Sequence, residues 1–319
     1  MVNRGANKKM VLKMKNKKGV MFTLLAIILL SLFFLGFSMF ALVENREAIN
    51  DRVSSLNNFV FSVEKDLPRQ LYISGFRTIF LFEKRILETG NYITNFNSTF
   101  KENFYNGTLY GEDQDLMIGA TFPEIIDNIN LKADKINANV SLSNPSIEVF
   151  QEDPWNIKII LTVAMKVEDK SGLASWNKTQ KIVAYVPVEG FEDPLYVVNG
   201  NGLVSNKINQ TIYTDFVSGA DVSNLQDHLE NSYYINSSEA PSFIDRLQGK
   251  TSSNPNGIES LVYLPKLSAQ GIAIKDKCAV DHVYFSSSTP EVHIVAGMPS
   301  WFKIDDAHVG LYEVSGLIS

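Results

Sequence analysis

Between Val20 and Val43 the chain runs VMFTLLAIILLSLFFLGFSMFALV, 24 residues without a charge. As a helix this stretch covers about 36 Å, against about 30 Å for the hydrocarbon core of a bilayer. It is long enough to span. A removable secretory signal has an apolar region of about 7 to 15 residues and a small-x-small exit. Here the exit reads Ser38-Met39-Phe40-Ala41-Leu42-Val43, which disfavours one. A buried core helix is the bland alternative, set against by the basic cluster at one end and Glu44, Arg46 and Glu47 at the other. Ahead of the stretch stand Arg4, Lys8, Lys9, Lys13, Lys15, Lys17 and Lys18, with no acidic residue up to Val43. Residues 44–319 carry 22 basic against 35 acidic side chains, a net charge of -13. The positive-inside rule therefore predicts a single-pass protein of the cell membrane, its leader (1–19) cytoplasmic and its acidic body outside. Phosphate backbones would repel such a body, so nucleic acid is excluded as a partner.

Asn16-Lys17-Lys18-Gly19 followed at once by Val20-Met21-Phe22-Thr23-Leu24-Leu25 resembles the class III signal of type IV pilins and pilin-like proteins, especially archaeal ones. The resemblance implies a prepilin-type peptidase cutting after Gly19, with Lys18 as the preceding basic residue and Val20 as the new N-terminus. It further implies that the apolar helix stays on the mature protein, first in the lipid bilayer and then against other pilin-like subunits or copies of itself. Two positions depart from the pattern. Leu24 stands where bacterial pilins carry Glu, and the stretch has no early Gln. The alternative is an uncleaved signal anchor.

Beyond the span (20–43), apolar residues recur at Ile49, Val53, Leu56, Val60, Val63 and Leu67, a heptad-like seam. The spacing predicts one helix over about 20–67. Its outer half would bear a head, dimerise as a coiled coil, or pack on its own head. Pro68 removes an amide donor and disfavours helical geometry at Leu67, so a break is expected there, although Pro68 also suits the first turn of a helix capped by Asp66. A second helix is predicted over 69–88, which makes 44–89 a pair of juxtamembrane amphipathic helices.

The remainder, 90–319 with a possible subdivision near 190, reads as an extracytoplasmic head. Residues 90–120 look irregular with one short helix, and a helix is predicted over 123–136. The period then alternates through Val140 to Leu142, Ile147 to Val149, Ile157 to Val167 and Lys181 to Val188. Asn144-Pro145, Asp153-Pro154 and Asp169 to Gly172 interrupt these runs, giving an antiparallel meander of three or four strands whose longest hairpin turns at 169–172. Further on, helices are expected at 222–230, 241–248 and 304–314, and strands at 258–264 and 281–286. The fold class is α+β: a long N-terminal transmembrane and amphipathic helix, then a head with an antiparallel β-meander.

No nucleotide-binding, zinc-protease, nucleophile-elbow or EF-hand motif is present. Cys278, Asp281 and His282 are the best catalytic constellation, yet a lone Cys beside apolar residues is more often buried and inert. Glu112, Asp113 and Asp115 lack the full register of a calcium loop. Asp305 and Asp306 suit the start of the last helix, where nothing pairs His308 with a metal, and Trp301 and Phe302 suit a core. The sequence therefore assigns no catalytic residue, metal or cofactor. Six N-x-S/T sequons, at Asn97, Asn106, Asn139, Asn177, Asn209 and Asn236, all fall beyond the span and are candidate glycosylation sites. Together these features lead to the expectation of a non-enzymatic, pilin-like surface protein, a minor subunit in assembly or adhesion. An uncleaved surface binding protein and a membrane-tethered envelope hydrolase are the alternatives.

Overall fold

In the computed structural model, which describes residues 17–319, the apolar stretch and its amphipathic continuation form one helix, α1 (Lys17–Thr89). The leader up to Asn16 lies outside the described residues. By compactness the chain divides into Met1–Asn58 and Phe59–Ser319. In the first unit, α1 contains an 18-residue window of mean hydropathy 2.7 with none of it buried, long and apolar enough to cross a membrane.

The expected break at Pro68 does not occur, because Pro68 lies inside α1. A proline in a helix interior costs about 3 kcal/mol. Leu67 and Leu71 flank it at 3% and 1% exposure, and each buried leucine contributes about 1.5–3 kcal/mol. Packing on both sides outweighs the local penalty.

α2 (Phe96–Asn106) aligns Phe96, Phe100 and Phe104 on one buried face, and Phe82 of α1 meets Phe96 and Phe100 edge-on at centroid distances of 5.6 and 6.5 Å. A small hairpin, β1 (Thr108–Leu109) and β2 (Glu112–Asp113), leads to α3 (Phe122–Asp134). Thr121 and Glu124 form a capping box at the start of α3, with Pro123 in its first turn.

The meander is a three-stranded antiparallel sheet in the order β3 (Ala138–Asp153), β4 (Asn156–Asp169), β5 (Ser175–Pro187). Its β4–β5 hairpin turns after Asp169, with Gly172 at φ 75° donating to the Asp169 carbonyl; the β3–β4 hairpin, turning at Pro154-Trp155, is at least as long. Asn144-Pro145 is a bulge inside β3 rather than a turn: Asn144 takes φ 51°, and the register shifts between Ser143 and Ser146. Ile157, Ile159, Leu161, Val163, Met165 and Val167 alternate onto one buried face of β4. A Cβ on Gly75 would lie 2.1 Å from Ile159 Cδ1 and 3.5 Å from Val186 Cγ2, so this glycine lets α1 settle onto β4 and β5.

The rest of the head is assembled from short elements. These are α4 (Pro194–Asn199), α5 (Ser223–Asn231), β6 (Tyr234–Asn236), α6 (Phe243–Leu247), β7 (Ile258–Ser260) and α7 (Leu264–Ala269). They are followed by α8 (Asp281–Phe285), β8 (Val292–Ile294), β9 (Lys303–Asp305) and α9 (Asp306–Val309). β6 pairs with β7 and β8 with β9, both antiparallel. One buried cluster joins Leu225, Leu229, Ile235, Leu261, Val280, Phe302, Ile304, Tyr312 and Val314, with Trp301 packed against it.

Three expectations are corrected here. Residues 281–285 are helical, not a strand, because Val280 ends a bridge to Leu261 and then accepts from the Tyr284 amide. Asp281 to Tyr284 are all buried, so the segment's apolar pattern carries no period to tell helix from strand. The 258–264 strand stops at Ser260, since Pro265 opens α7. The last helix shrinks to α9, with Asp305 as its cap.

Candidate functional site

The proposed processing site falls at the start of α1, where Gly19 and Val20 are exposed and Thr23 Oγ1 donates to both carbonyls at 3.2 and 2.9 Å. The Lys18 side chain lies outside what is described. Of the seam, Ile49 is exposed and Val53 half-buried, whereas Leu56, Val60, Val63 and Leu67 are buried. From Val60 onward the seam is thus consumed by the chain's own core and is not free for a second helix. All six sequon asparagines are exposed. Asn97 lies on the rim of an open polar cleft of about 460 Å³, between the start of α2, the end of β3 and α6.

Neither constellation singled out from the sequence assembles. Glu112 is drawn to Arg85 at 2.9 Å, and among the described residues it forms no ligand group with Asp113 and Asp115. Cys278 is fully buried, and burial and the Asp305 charge push its thiol well above the usual range, away from nucleophilic use. Asp281 and His282 turn to other partners.

Those partners form two adjoining buried clusters. In the first, Arg246 is fully enclosed between Asp193 and Asp281. Its guanidinium donates to Asp193 Oδ2 at 2.6 Å, to the two Asp281 oxygens at 3.0 and 3.1 Å, and to the Ile258 carbonyl. Tyr234 Oη donates to Asp193 at 2.7 Å, and the Ser260 amide and hydroxyl donate to Asp281 at 3.0 and 2.8 Å. Burial drives Asp193 upward, with Arg246 opposing. The Ser242–Asp245 capping box starts the short helix α6 that presents Arg246.

In the second cluster, Glu259 on β7, His282 on α8 and His308 on α9 converge. Glu259 Oε2 lies 3.6 Å from His282 Nε2 and 3.4 Å from His308 Nε2. All three donor atoms fall within 4.8 Å of one another. The two Glu259 oxygens, both Nε2 atoms and the Tyr312 hydroxyl are buried without a well-formed hydrogen bond. Asp305 Oδ1 sits 2.5 Å from His308 Nδ1 and accepts from the His308 amide at 3.2 Å. Burial opposes charge on His308, but Asp305 and Glu259 together raise its pKa to about 10. Burial raises Glu259, yet the two histidines overcome it and hold the carboxyl well below its usual range. His228 is also buried nearby, its ring 5.8 Å from that of Tyr312, and burial lowers its pKa to about 4. The set can hold a cation or share protons. None of the described cavities is lined by Glu259, His282 or His308.

The sequence pairs His308 with no metal and does not mark Glu259 or Arg246 as site residues. The available signal was weak: an Asp-x-x-His run at Asp305 to His308, and three of the four histidines between positions 282 and 308. Compared with protein-family models, curated proteins and solved structures, the chain matches none of the three sets.

Proposed function

We propose that this is a membrane-anchored, pilin-like surface protein, a minor or priming subunit that acts in filament assembly or adhesion and not by catalysis. One observation carries the reading. From Val20 to Val43, α1 offers apolar side chains on every side, with Ala41 alone half-buried. Such a surface left in water costs about 25 cal/mol for each Å². Lipid removes that cost, and so do neighbouring apolar helices, so the same segment serves an anchor and a filament core.

On this reading the basic leader holds the N-terminus in the cytoplasm and the acidic head stands outside, where the exposed sequons are available for glycosylation. Cleavage after Gly19 by a prepilin-type peptidase removes the charges that tether the helix to the inner face. Its partners are then the bilayer, other pilin-like subunits or further copies of itself. A second reading, an uncleaved anchor carrying a binding head, is favoured by Leu24, which replaces the glutamate of bacterial pilins.

Intact mass and N-terminal sequencing of protein from native membranes separate the two. The pilin-like reading expects a chain beginning at Val20 in wild type and an uncut chain in Gly19→Leu. A wild-type chain that retains its leader would overturn processing.

A further inference from the structure

We propose that Glu259, His282 and His308 bind one divalent metal ion of the zinc class, which cross-links β7, α8 and α9 inside the head. The inference stands independently of how the chain is anchored.

Two imidazole nitrogens and one carboxylate oxygen are the donor set that zinc takes, with bonds of about 2.0–2.2 Å. In a tetrahedron with such bonds the donors stand about 3.3–3.6 Å apart. The observed separations of 3.4 and 3.6 Å from Glu259 Oε2 to the two Nε2 atoms match that edge. An octahedral ion with equal bonds would draw neighbouring donors to about 2.9 Å.

Satisfaction of polar groups points the same way. Five buried atoms around this point lack a well-formed hydrogen bond: both Glu259 oxygens, His282 Nε2, His308 Nε2 and the Tyr312 hydroxyl. Each such group costs about 1–3 kcal/mol when left unpaired. A cation at the convergence satisfies the three donors directly. The Tyr312 hydroxyl, fully buried and subject to the Glu259 charge, is available to donate to the carboxylate.

The surroundings are those of a built metal site. Asp305, 2.5 Å from His308 Nδ1, keeps a proton on that nitrogen, so the metal takes the place of the Nε2 proton that faces Glu259 and coordinates the lone pair it leaves. Glu259 and Asp305 together balance a double positive charge, which two neutral imidazoles leave unchanged. A second grouping of Cys278, Asp305 and His308 is also compact. Its Asp305 is already engaged by His308 Nδ1 and by the Cys278 thiol, which burial keeps protonated. The free donors lie on the Glu259 side.

Enclosure makes the role structural, since a catalytic zinc keeps an open position. The three ligand-bearing elements have 3, 5 and 4 residues, too short to hold their own shape. A shared ion fixes them to one another.

The full chain, expressed with zinc in the medium and purified in detergent, is assayed for metal content by mass spectrometry and by zinc X-ray absorption. The expected result is about one zinc per chain, with only nitrogen and oxygen neighbours at about 2.0–2.2 Å. His282→Gln and Glu259→Gln should lose the metal, and Asp305→Asn should weaken retention about 10–100-fold. His293→Gln, an exposed histidine paired with Asp306, should keep it. A folded wild type with less than about a tenth of an equivalent would overturn the proposal, as would a sulfur neighbour at about 2.3 Å, which places the ion on Cys278. Equal loss from His293→Gln and His282→Gln would overturn it too. The absorption spectrum of wild type decides the ligand set even where a variant fails to fold.

Discussion

Replacing Arg246 with Met removes the one cation between two buried carboxylates. Arg246, Asp193 and Asp281 are all fully enclosed, so water cannot compensate for the missing charge. Breaking a buried ion pair from one side costs about 3–5 kcal/mol. Some support remains: Asp193 keeps Tyr234 Oη at 2.7 Å and the Leu195 amide at 2.8 Å, and Asp281 keeps both Ser260 donors. The Ile258 carbonyl, by contrast, loses its guanidinium donor. In a unit of this size each kcal/mol moves the melting temperature by about 2–4 °C, so a drop of roughly 6–20 °C is expected. The loss has a pH sign. Burial drives the Asp193 carboxyl upward and Arg246 opposes it, so without Arg246 the penalty is small in acid, where Asp193 is protonated, and grows as pH rises through its raised folded value. Melts of the full chain in detergent, followed through Trp155, Trp176 and Trp301 at pH 5 and pH 8, read both effects. Lys84→Met, which breaks only an exposed pair with Glu88, serves as the control and should cost under about 0.5 kcal/mol. A loss below about 1 kcal/mol for Arg246→Met, or one independent of pH, would refute the reasoning.

Gly257→Ala should destabilise the head by about 3 kcal/mol, because a Cβ there would lie 2.0 Å from the Ala240 carbonyl oxygen and 2.4 Å from that of Ser237; chemical denaturation checks it, and a neutral result would contradict the close approach. Glu83, whose carboxyl accepts from the Glu192 amide at 2.6 Å, has its pKa raised by burial to about 7. A carboxyl raised in the folded state weakens folding as pH climbs from about 4.5 to about 7, so Glu83→Gln should gain on wild type across that window and hold the gain above it. Melting temperatures at pH 4.5 and pH 8 test the sign. Gly75→Val should destabilise by forcing Ile159 aside, and Ile159→Ala in the same chain should recover part of the loss, which a double-mutant cycle measures.

Much of the architecture was legible because it is written in long periodic runs. The uncharged stretch, the 3.6-residue pattern from Ile49 to Leu67, the Thr121-to-Glu124 start of α3 and the alternation in β4 each carry many residues of one signal. Local punctuation misled where tertiary packing outweighed it. Pro68 stays helical because Leu67 and Leu71 are buried, and Asn144-Pro145 is absorbed as a bulge because the apolar side chains on both sides of it return to the same sheet. Residues 281–285 were unreadable for another reason, since four consecutive buried residues, Asp281 to Tyr284, show no period. The Glu259, His282 and His308 cluster escaped because its members sit on elements of three to five residues separated by long intervals. No spacing rule joins them until the fold does.

On the proposed reading α1 anchors the chain in the membrane and presents the head outside the cell. Cys278, the one cysteine, is fully buried, so the wild-type chain offers no exposed thiol among the described residues. Ile212, 74% exposed in the head, supplies a position for a reporter. Ile212→Cys protein is treated on intact cells with a membrane-impermeant maleimide, alongside wild type. Labelling of Ile212→Cys on intact cells, with wild type unlabelled and the protein resisting extraction by alkaline carbonate, is the expected result. Labelling that appears only after the cells are broken would contradict the account.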